Sequence, residues 1–380
     1  MVNVKFLGDD FMIYLDYAAN TPVDEEVLTV FNDATRKYIA NPNSSHTLGK
    51  LAKEEIDKVS SNIAKYFNTD SSNIIYTSGS SESNNLVLKG IAELRKNKGN
   101  KIIISAVEHS SIVAPSNYLA SLGYDVSVIP LCEDGKIDLK KLEEELDKET
   151  ILVSICSVDS ELGTVHPIKE ISKILKKYPN VIFHTDATQA IGKVDIDYSG
   201  VDFITFAPHK FFGLNGFGVL VNVNGNKLTP IIHGGKSTTI YRSGTPVTAS
   251  VVALGKAFDL AINNLNERKK HIEELNKVLR KEFEKIKCVH INSPEDAIPN
   301  TLNISLINKD TKKILKELEN KEIYLSTTTA CSLGSSPSKS VFAITKDNNL
   351  ASNTIRISLS HLTTLDEINK FLKEFKSLID

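Results

Sequence analysis

Hydrophobic residues along the first two thirds of the chain form short continuous runs, separated by stretches with helical spacing. The apolar runs, typical of strands that are buried on both faces, are 74–77, 102–105, 126–131, 151–158, 181–186, 203–206 and 216–221. Helical spacing appears at 23–39, at 50–67 and between most of these runs. Strands that alternate with helices predict an α/β fold with a mainly parallel sheet, covered by helices on both faces.

The last third of the chain has a different pattern. Residues 229–246 are rich in loop formers, and a helical pattern then runs from about 250 to 286. This is longer than a usual globular helix, so we expect two helices that meet near Asn263 and Asn264. Further strands and helices follow at 301–306, 312–320, 323–326, 354–359 and 365–378. We therefore expect a large domain over 15–255 and a smaller α+β domain from 1–14 and 256–380.

Composition narrows the class of protein. Hydrophobic residues make up 41% of the chain and charged residues 24%, as in soluble globular proteins. The net charge of -2 gives no basic excess, so nucleic acid is not an expected partner. Cys132, Cys156, Cys288 and Cys331 are too widely spaced for a disulfide framework or a zinc site, which predicts a cytoplasmic protein without a structural metal. Neither a signal peptide nor a membrane-spanning run is expected.

Polar side chains follow several of the predicted strands. His109, Ser160, Asp186 and Lys210 each lie at or shortly after the end of an apolar run. In a parallel sheet the carboxyl ends of the strands form the ligand-binding edge, so these side chains are expected to converge. Lys210 is informative because a buried ammonium is costly, whereas a deprotonated lysine can form a Schiff base with a carbonyl cofactor. Taken alone, it could also be a strand-end lysine that extends to solvent.

Three more features agree with a carbonyl cofactor. Ser80 and Ser81 begin a helix, whose free N–H groups and dipole suit a phosphate, although such serines often serve only as caps. A carboxylate at Asp186 can keep a pyridine nitrogen protonated, or it can cap a helix. His109 can stack on a ring and shuttle protons, or it can be an ordinary polar residue at a strand end. Together, in this order, they favour pyridoxal 5'-phosphate (PLP).

Short motifs along the chain then carry a family resemblance. They are YLDYAA at 14–19, NPNSSH at 41–46, TSG at 77–79, ESNNL at 82–86, EH at 108–109, HTDATQ at 184–189, HK at 209–210, RSGT at 242–245, ACS at 330–332 and IRISL at 355–359. With these motifs the chain resembles, over nearly its whole length, the NifS-like (IscS-type) cysteine desulfurases of the class V aminotransferase group. The resemblance implies a PLP-dependent transferase fold (aspartate aminotransferase-like, fold type I) and a homodimer.

The resemblance also implies a role for each matching residue. Its expected PLP ligands are Ser80, Ser81, His109, Ser160, Asp186, Gln189, His209 and Lys210, with Thr245 reaching in from a second subunit. Asn41 and Arg356 are the expected substrate ligands, Arg356 for the carboxylate. Lys210 and His109 move protons. Cys331 takes the sulfur of L-cysteine as a persulfide and leaves L-alanine, and its small, polar surroundings predict an exposed loop.

Some positions depart from the family pattern. Ser160 stands where the family carries Asn, and Ala207 replaces a phosphate-contacting Ser. Lys236, Ser237 and Thr238 fall where the family has a Gly-Gln-Glu sequence. The loss of hydroxyl and amide groups predicts weaker PLP affinity.

Three functional hypotheses stay open at this point. The first is a cysteine desulfurase that supplies a sulfur-acceptor protein in iron–sulfur cluster assembly or tRNA thiolation. The second is a diverged class V enzyme, such as a selenocysteine lyase or a small-amino-acid aminotransferase, in which Cys331 is dispensable. The third is a non-catalytic homologue kept as a binding partner. The presence of both Lys210 and Cys331 argues against the third hypothesis.

Overall fold

The computed structural model describes residues 12–327 and 337–379. Its strands are β1 Ile13–Tyr14, β2 Ile74–Thr77, β3 Lys101–Ser105, β4 Asp125–Ile129, β5 Thr150–Ser154, β6 Ile182–Asp186, β7 Phe203–Phe206, β8 Gly218–Asn222, β9 Val289–Ile291, β10 Thr301–Leu306, β11 Ile323–Tyr324 and β12 Thr354–Ser358. Its α-helices are α1 Glu25–Lys37, α2 Thr47–Tyr66, α3 Ser80–Arg95, α4 Ser110–Ser121, α5 Leu139–Glu145, α6 Ile168–Leu175, α7 Thr248–Asn263, α8 Leu265–Phe283, α9 Thr311–Glu319, α10 Lys339–Thr345, α11 Asn348–Ser352 and α12 Leu365–Ile379.

The large sheet has seven strands in the order β2-β8-β7-β6-β5-β3-β4. β8 runs antiparallel to both of its neighbours, whereas the remaining strands all point the same way. The prediction of a mainly parallel sheet is therefore confirmed. The carboxyl ends of β2, β3, β5, β6 and β7 meet at one edge, because these strands share a direction.

Both faces of this sheet are covered, as the continuous apolar runs predict. Successive residues of a strand point to opposite faces. Ile103, Val153 and Phe183 accordingly pack into a hydrophobic cluster with residues of α2 and α7. Their neighbours Ile102 and Leu152 pack on the other face, with residues of α3 and α4.

A separate hydrophobic cluster forms around the antiparallel sheet β12-β10-β9. It contains side chains of α8, α9 and α12, together with Ile13 and Leu15 from the beginning of the described chain. The long helical pattern ends where it was expected to, because α7 stops at Asn263 and α8 starts at Leu265. Side chains of α7 belong to the core of the large sheet, and those of α8 to the core of the small one.

Two local expectations were wrong. Residues 47–49 were expected in a loop, but α2 already begins at Thr47, because the side chain of His46 caps it by accepting the Gly49 N–H. The strand expected over 151–158 ends at Ser154. Two residues further on, the Cys156 N–H donates to the carboxylate of Glu108 over 2.8 Å instead of to a neighbouring strand. Within the described ranges, no helix is both long and apolar enough to span a membrane.

Candidate active site

A cavity of about 400 Å³ opens at the carboxyl edge of the large sheet. It collects side chains that follow β2, β3, β5, β6 and β7, and one from β12 of the small sheet. The site residues expected from the sequence that line it are Ser80, Ser81, His109, Ser160, Asp186, Gln189, His209, Lys210 and Arg356. These residues are far apart in the chain, and the parallel sheet brings them together.

Lys210 enters the cavity from the short turn after β7. Its Nζ donates to the main-chain oxygens of Ala18, over 2.9 Å, and Ala19, over 2.5 Å. The same turn is tied to the chain before α1, because the Thr21 hydroxyl donates to the oxygen of His209 over 2.9 Å. The amine is thus held among main-chain acceptors inside the site and does not extend to solvent along the surface.

Asp186, the last residue of β6, is buried and held on both oxygens. Oδ1 accepts the N–H of Thr188 over 2.9 Å, and Oδ2 accepts the side-chain amide of Asn84 over 2.8 Å. Asn84 also donates to Ser111 Oγ over 2.9 Å, and that hydroxyl lies 2.8 Å from His109 Nδ1. One network therefore fixes both the carboxylate and the imidazole at the cavity wall.

The imidazoles of the site are neutral at neutral pH. Burial lowers the pKa of His109, and the charge of Lys210 lowers it further against the opposing effect of Asp186. Nδ1 of His109 accepts the N–H of Ser111 over 3.2 Å, so the proton of the neutral ring is on Nε2. Burial, followed by the charges of Lys210 and Lys193, lowers the pKa of His209 to about 4.

The first turn of α3 faces the cavity with its main-chain N–H groups. Gly79 precedes the helix and no side chain caps this end, so Ser80 is not the ordinary cap that the sequence also allowed. Its hydroxyl lies 2.8 Å from that of Thr188 instead. Glu82 accepts the Ser78 N–H over 2.8 Å and pairs with Arg242 over 2.9 Å. An uncapped helix N-terminus of this kind is a ready anion site.

Arg356 is only 1% exposed, yet its guanidinium lines the cavity. Nη2 donates to Asp16 over 2.9 Å, and Nη1 donates to the main-chain oxygen of Ser160 over 3.1 Å. Its Nε has no acceptor within the described residues. A guanidinium at a cavity wall is a suitable partner for a ligand with an acceptor such as a carboxylate.

Two expected residues do not line this cavity. Thr245 is exposed and lines a neighbouring cavity of about 230 Å³, to which Ser78 also contributes. Asn41 is exposed in the loop before α2. Cys331 lies outside the described residues. The expected roles of all three stay predictions.

The residues present fit PLP. The cavity combines a lysine amine, a buried carboxylate and an uncapped helix N-terminus, which match the aldehyde, the pyridine nitrogen and the phosphate of that molecule. No cluster of three or more potential metal ligands occurs within the described residues.

Several residues around the site were missed by the sequence reasoning. Asn84 and Thr188 lie inside quoted motifs, but their contacts to Asp186 depend on the fold. Lys193 was passed over, although a lysine four residues after Gln189 in an otherwise apolar turn is a usable signal. Cys156 was expected in the core of a strand, whereas it is buried at the cavity wall, and burial raises the pKa of its thiol. Cys132, expected to be structural, is exposed.

Comparisons with known proteins identify the family. The family model described as Aminotransferase class-V matches residues 13–371. A curated relative named cysteine desulfurase IscS, from Dictyoglomus turgidum, is 37% identical over 97% of this chain and 94% of its own length.

Solved structures of NifS-like proteins also match the whole fold. A structure titled NIFS-LIKE PROTEIN superposes with a TM-score of 0.91 at 32% identity, over 97% of this chain and 99% of its own. A structure of SspA in complex with cysteine superposes with a TM-score of 0.79 at 30% identity, over 93% of this chain and 100% of its own. The chain therefore belongs to the class V aminotransferase family and, within it, to the NifS/IscS group of cysteine desulfurases.

Proposed function

We propose that this chain is a PLP-dependent cysteine desulfurase that converts L-cysteine to L-alanine and transfers the sulfur to Cys331. The observation that carries the proposal is a single cavity lined by Lys210, Asp186 and Arg356. Such a site offers an amine for a carbonyl cofactor and a guanidinium for an amino-acid carboxylate. The cysteine complex of the relative SspA supports the choice of substrate.

Each group of the cofactor has a partner in this chain. Lys210 would hold its aldehyde carbon, Asp186 its pyridine nitrogen and Gln189 its ring hydroxyl. The phosphate would be held by Ser80, Ser81 and His209. When bound, PLP supplies an electron sink that stabilises negative charge at the α-carbon of an amino acid.

The chain's own residues then bind the substrate and move its protons. Arg356 orients the carboxylate through its guanidinium, and Asn41 is the second expected substrate ligand. The amine of Lys210 takes the proton from the α-carbon. His109 is neutral, with its proton on Nε2, and can therefore donate that proton to a group in the cavity and take it back.

The sulfur transfer balances without an external oxidant or reductant. The thiolate of Cys331 attacks the sulfur of the substrate, an S–S bond forms, and the carbon–sulfur bond breaks. Its electron pair stays on the carbon, which is protonated, so that L-cysteine and the thiol give L-alanine and a persulfide. We further propose a homodimer in which Thr245 completes the phosphate site, and a sulfur-acceptor protein of iron–sulfur cluster or thiolated-tRNA synthesis as the receiver.

Replacement of Cys331 tests the proposal. We expect Cys331→Ala to bind PLP with the visible absorbance of the wild type and to release no sulfide from L-cysteine in the presence of dithiothreitol, because the sulfur receiver is gone. Lys210→Ala should lose the absorbance of the lysine-bound cofactor as well. Cys132→Ala, which removes an exposed thiol outside the cavity, serves as the matched control and should keep full activity.

Two results would contradict the proposal. Sulfide release near the wild-type rate from Cys331→Ala would favour a diverged class V enzyme, such as a selenocysteine lyase. Absence of a visible band in wild-type protein reconstituted with PLP would favour a non-catalytic homologue.

A further inference from the structure

The turn after β6 holds a buried lysine next to a cavity residue. Lys193 is 9% exposed, and its Nζ donates to Gln189 Oε1 over 2.5 Å. The N–H groups of Lys193 and Val194 both bond to the oxygen of Ala190, over 3.0 and 3.1 Å, so the chain coils here. This coil brings two side chains that are four residues apart into contact.

Two independent partners fix which way the Gln189 amide faces. Its Nε2 donates to the main-chain oxygen of Ala18 over 3.0 Å, and a carbonyl oxygen can only accept. Its Oε1 faces the amine of Lys193, whose ammonium form can only donate. One N–H of Nε2 is left for the cavity that Gln189 lines. Toward a ligand there, Gln189 therefore acts as a donor.

Lys193 is not part of an ordinary ion pair. Within the described ranges, no carboxylate oxygen lies within 4.0 Å of its Nζ, whereas the similarly buried Lys101 pairs with Glu145 and Asp147. The charged groups that act on Lys193 are cations: burial and the charges of Lys210 and Arg356 lower its pKa to about 7. The amine is thus costly to bury and has no acidic counterpart.

A small cavity of about 30 Å³ joins Lys193 to the reactive lysine. Lys193 and Lys210 both line it, and Arg268 of α8 and His361, which precedes α12, face it from the other side. His209 is a further titratable group nearby, and the charge of Lys193 contributes to lowering its pKa. None of the side chains lining this cavity is acidic, so Lys193 adds positive charge to a region that already favours anions.

We propose that Lys193 is a positioning residue: it holds the Gln189 amide with an N–H toward the ring oxygen of the cofactor and, in its ammonium form, places a positive charge behind that bond. This rests on the proposed function, because it takes PLP as the ligand of the main cavity. The Lys193–Gln189 pair would then stabilise the ring oxygen in its anionic form.

The test measures the visible absorbance of PLP-loaded protein as the pH is changed. The midpoint is the pH at which half of the absorbance change has occurred. We expect Lys193→Met to raise the midpoint of the titration by about one pH unit, because the anionic oxygen loses both a fixed donor and a nearby charge. Lys193→Gln keeps an N–H donor without the charge, so its midpoint should rise by less. Lys101→Met removes a lysine of similar burial at the opposite edge of the sheet and should leave the midpoint unchanged.

The thermal unfolding of PLP-free protein separates positioning from a merely structural role. Lys193→Met should unfold at the wild-type temperature or above, since it removes a buried amine without a carboxylate partner. A lowered unfolding temperature together with an unchanged midpoint would overturn the proposal. If Lys193→Met does not fold, the titration of Lys193→Gln tests the proposal in its place. A midpoint equal to that of the wild type in Lys193→Gln would also overturn the proposal.

The two proposals fail in different ways. If wild-type protein shows no visible band with PLP, the proposed function fails and the role of Lys193 falls with it. If wild-type protein shows the band and the Lys193 variants titrate as it does, only the role of Lys193 is wrong.

Discussion

Burial determines the charge of single side chains around the cavity, and Glu108 is the clearest case. Burial raises the pKa of its carboxyl to about 8, although hydrogen bonds from the Ser105 hydroxyl and the Cys156 N–H act in the opposite direction. Its Oε2 has no partner within the described residues. Glu108 is therefore protonated at neutral pH.

We expect Glu108→Gln to stabilise the protein more strongly at pH 8 than at pH 5. The folded-state pKa of Glu108 lies above the unfolded value of about 4.3, so wild-type stability is lost as the pH rises between those two values. A neutral amide removes this loss, which we expect to be at least about 1 kcal/mol at pH 8. Urea unfolding at the two pH values measures it.

Glu144→Gln is the control for that experiment, because Glu144 is an exposed partner of Lys141 and makes no buried contact. An equal loss of stability for Glu108→Gln at both pH values would show that Glu108 is charged in the folded protein.

Single residues also show how far the sequence reasoning could reach. Lys210, Asp186 and His109 were recognisable because each lies at or shortly after the end of a strand, and the cavity does bring them together. Asn84 and Lys193 were not recognisable, because each acts through one contact with another side chain. The weaker PLP affinity expected from Ala207 and Ser160 stays a prediction.

Among the structural elements, the close approach of β8 to the beginning of α3 shapes the candidate phosphate site. A Cβ atom on Gly218 would lie 2.4 Å from the main-chain carbon of Gly79, the residue before α3. The sheet pairs Gly218 with Thr77, so the strand cannot move away without loss of register. A glycine is therefore required at 218 to set the helix end at the cavity.

We expect Gly218→Ala to weaken PLP binding by about tenfold or more, because displacement of the first turn of α3 misdirects its N–H groups. The dissociation constant of PLP, measured by absorbance or fluorescence, tests this. Gly235→Ala is the matched control, since a Cβ there would meet no atom within 4 Å. Equal affinities for the two variants would refute the role of Gly218.

The hydrophobic periodicity of the sequence predicted most helices and strands, but it did not predict the order of the strands in the sheet. The boundary between α7 and α8 at Asn263 and Asn264 was predicted, because the helical pattern there is too long for one helix. The reversed direction of β8 was not, since an antiparallel strand inside a covered sheet has the same apolar sequence as a parallel one. We propose that the large domain extends to Asn264 and not to 255, because the side chains of α7 pack in its core.

At the scale of the whole molecule, the site is shared between two hydrophobic cores. Lys210 and Asp186 come from the large sheet, whereas Arg356 comes from β12 of the small one. The segment from Asp16 to Ala18 links the two, because Asp16 pairs with Arg356 and the main-chain oxygen of Ala18 accepts from Lys210. Substrate binding therefore depends on how the two cores are held together.

We expect Arg356→Met to raise the KM for L-cysteine by about 30-fold or more and to leave PLP absorbance intact, because the carboxylate loses its guanidinium partner. Titration of the PLP-loaded protein with L-cysteine measures the effect. Arg280→Met is the control, because Arg280 binds the main-chain oxygens of Ser293 and Pro294 outside the cavity. A normal KM for Arg356→Met would assign the carboxylate to another residue.

The main-chain oxygen of Ala18 accepts bonds from both Gln189 and Lys210, and this has a consequence for how the protein can evolve. No substitution can delete a carbonyl, so this acceptor survives any change of side chain that leaves the path of the chain intact. An insertion or deletion of one residue between β1 and α1 would shift the oxygen away from both donors. During evolution, this turn should therefore accept substitutions but neither insertions nor deletions.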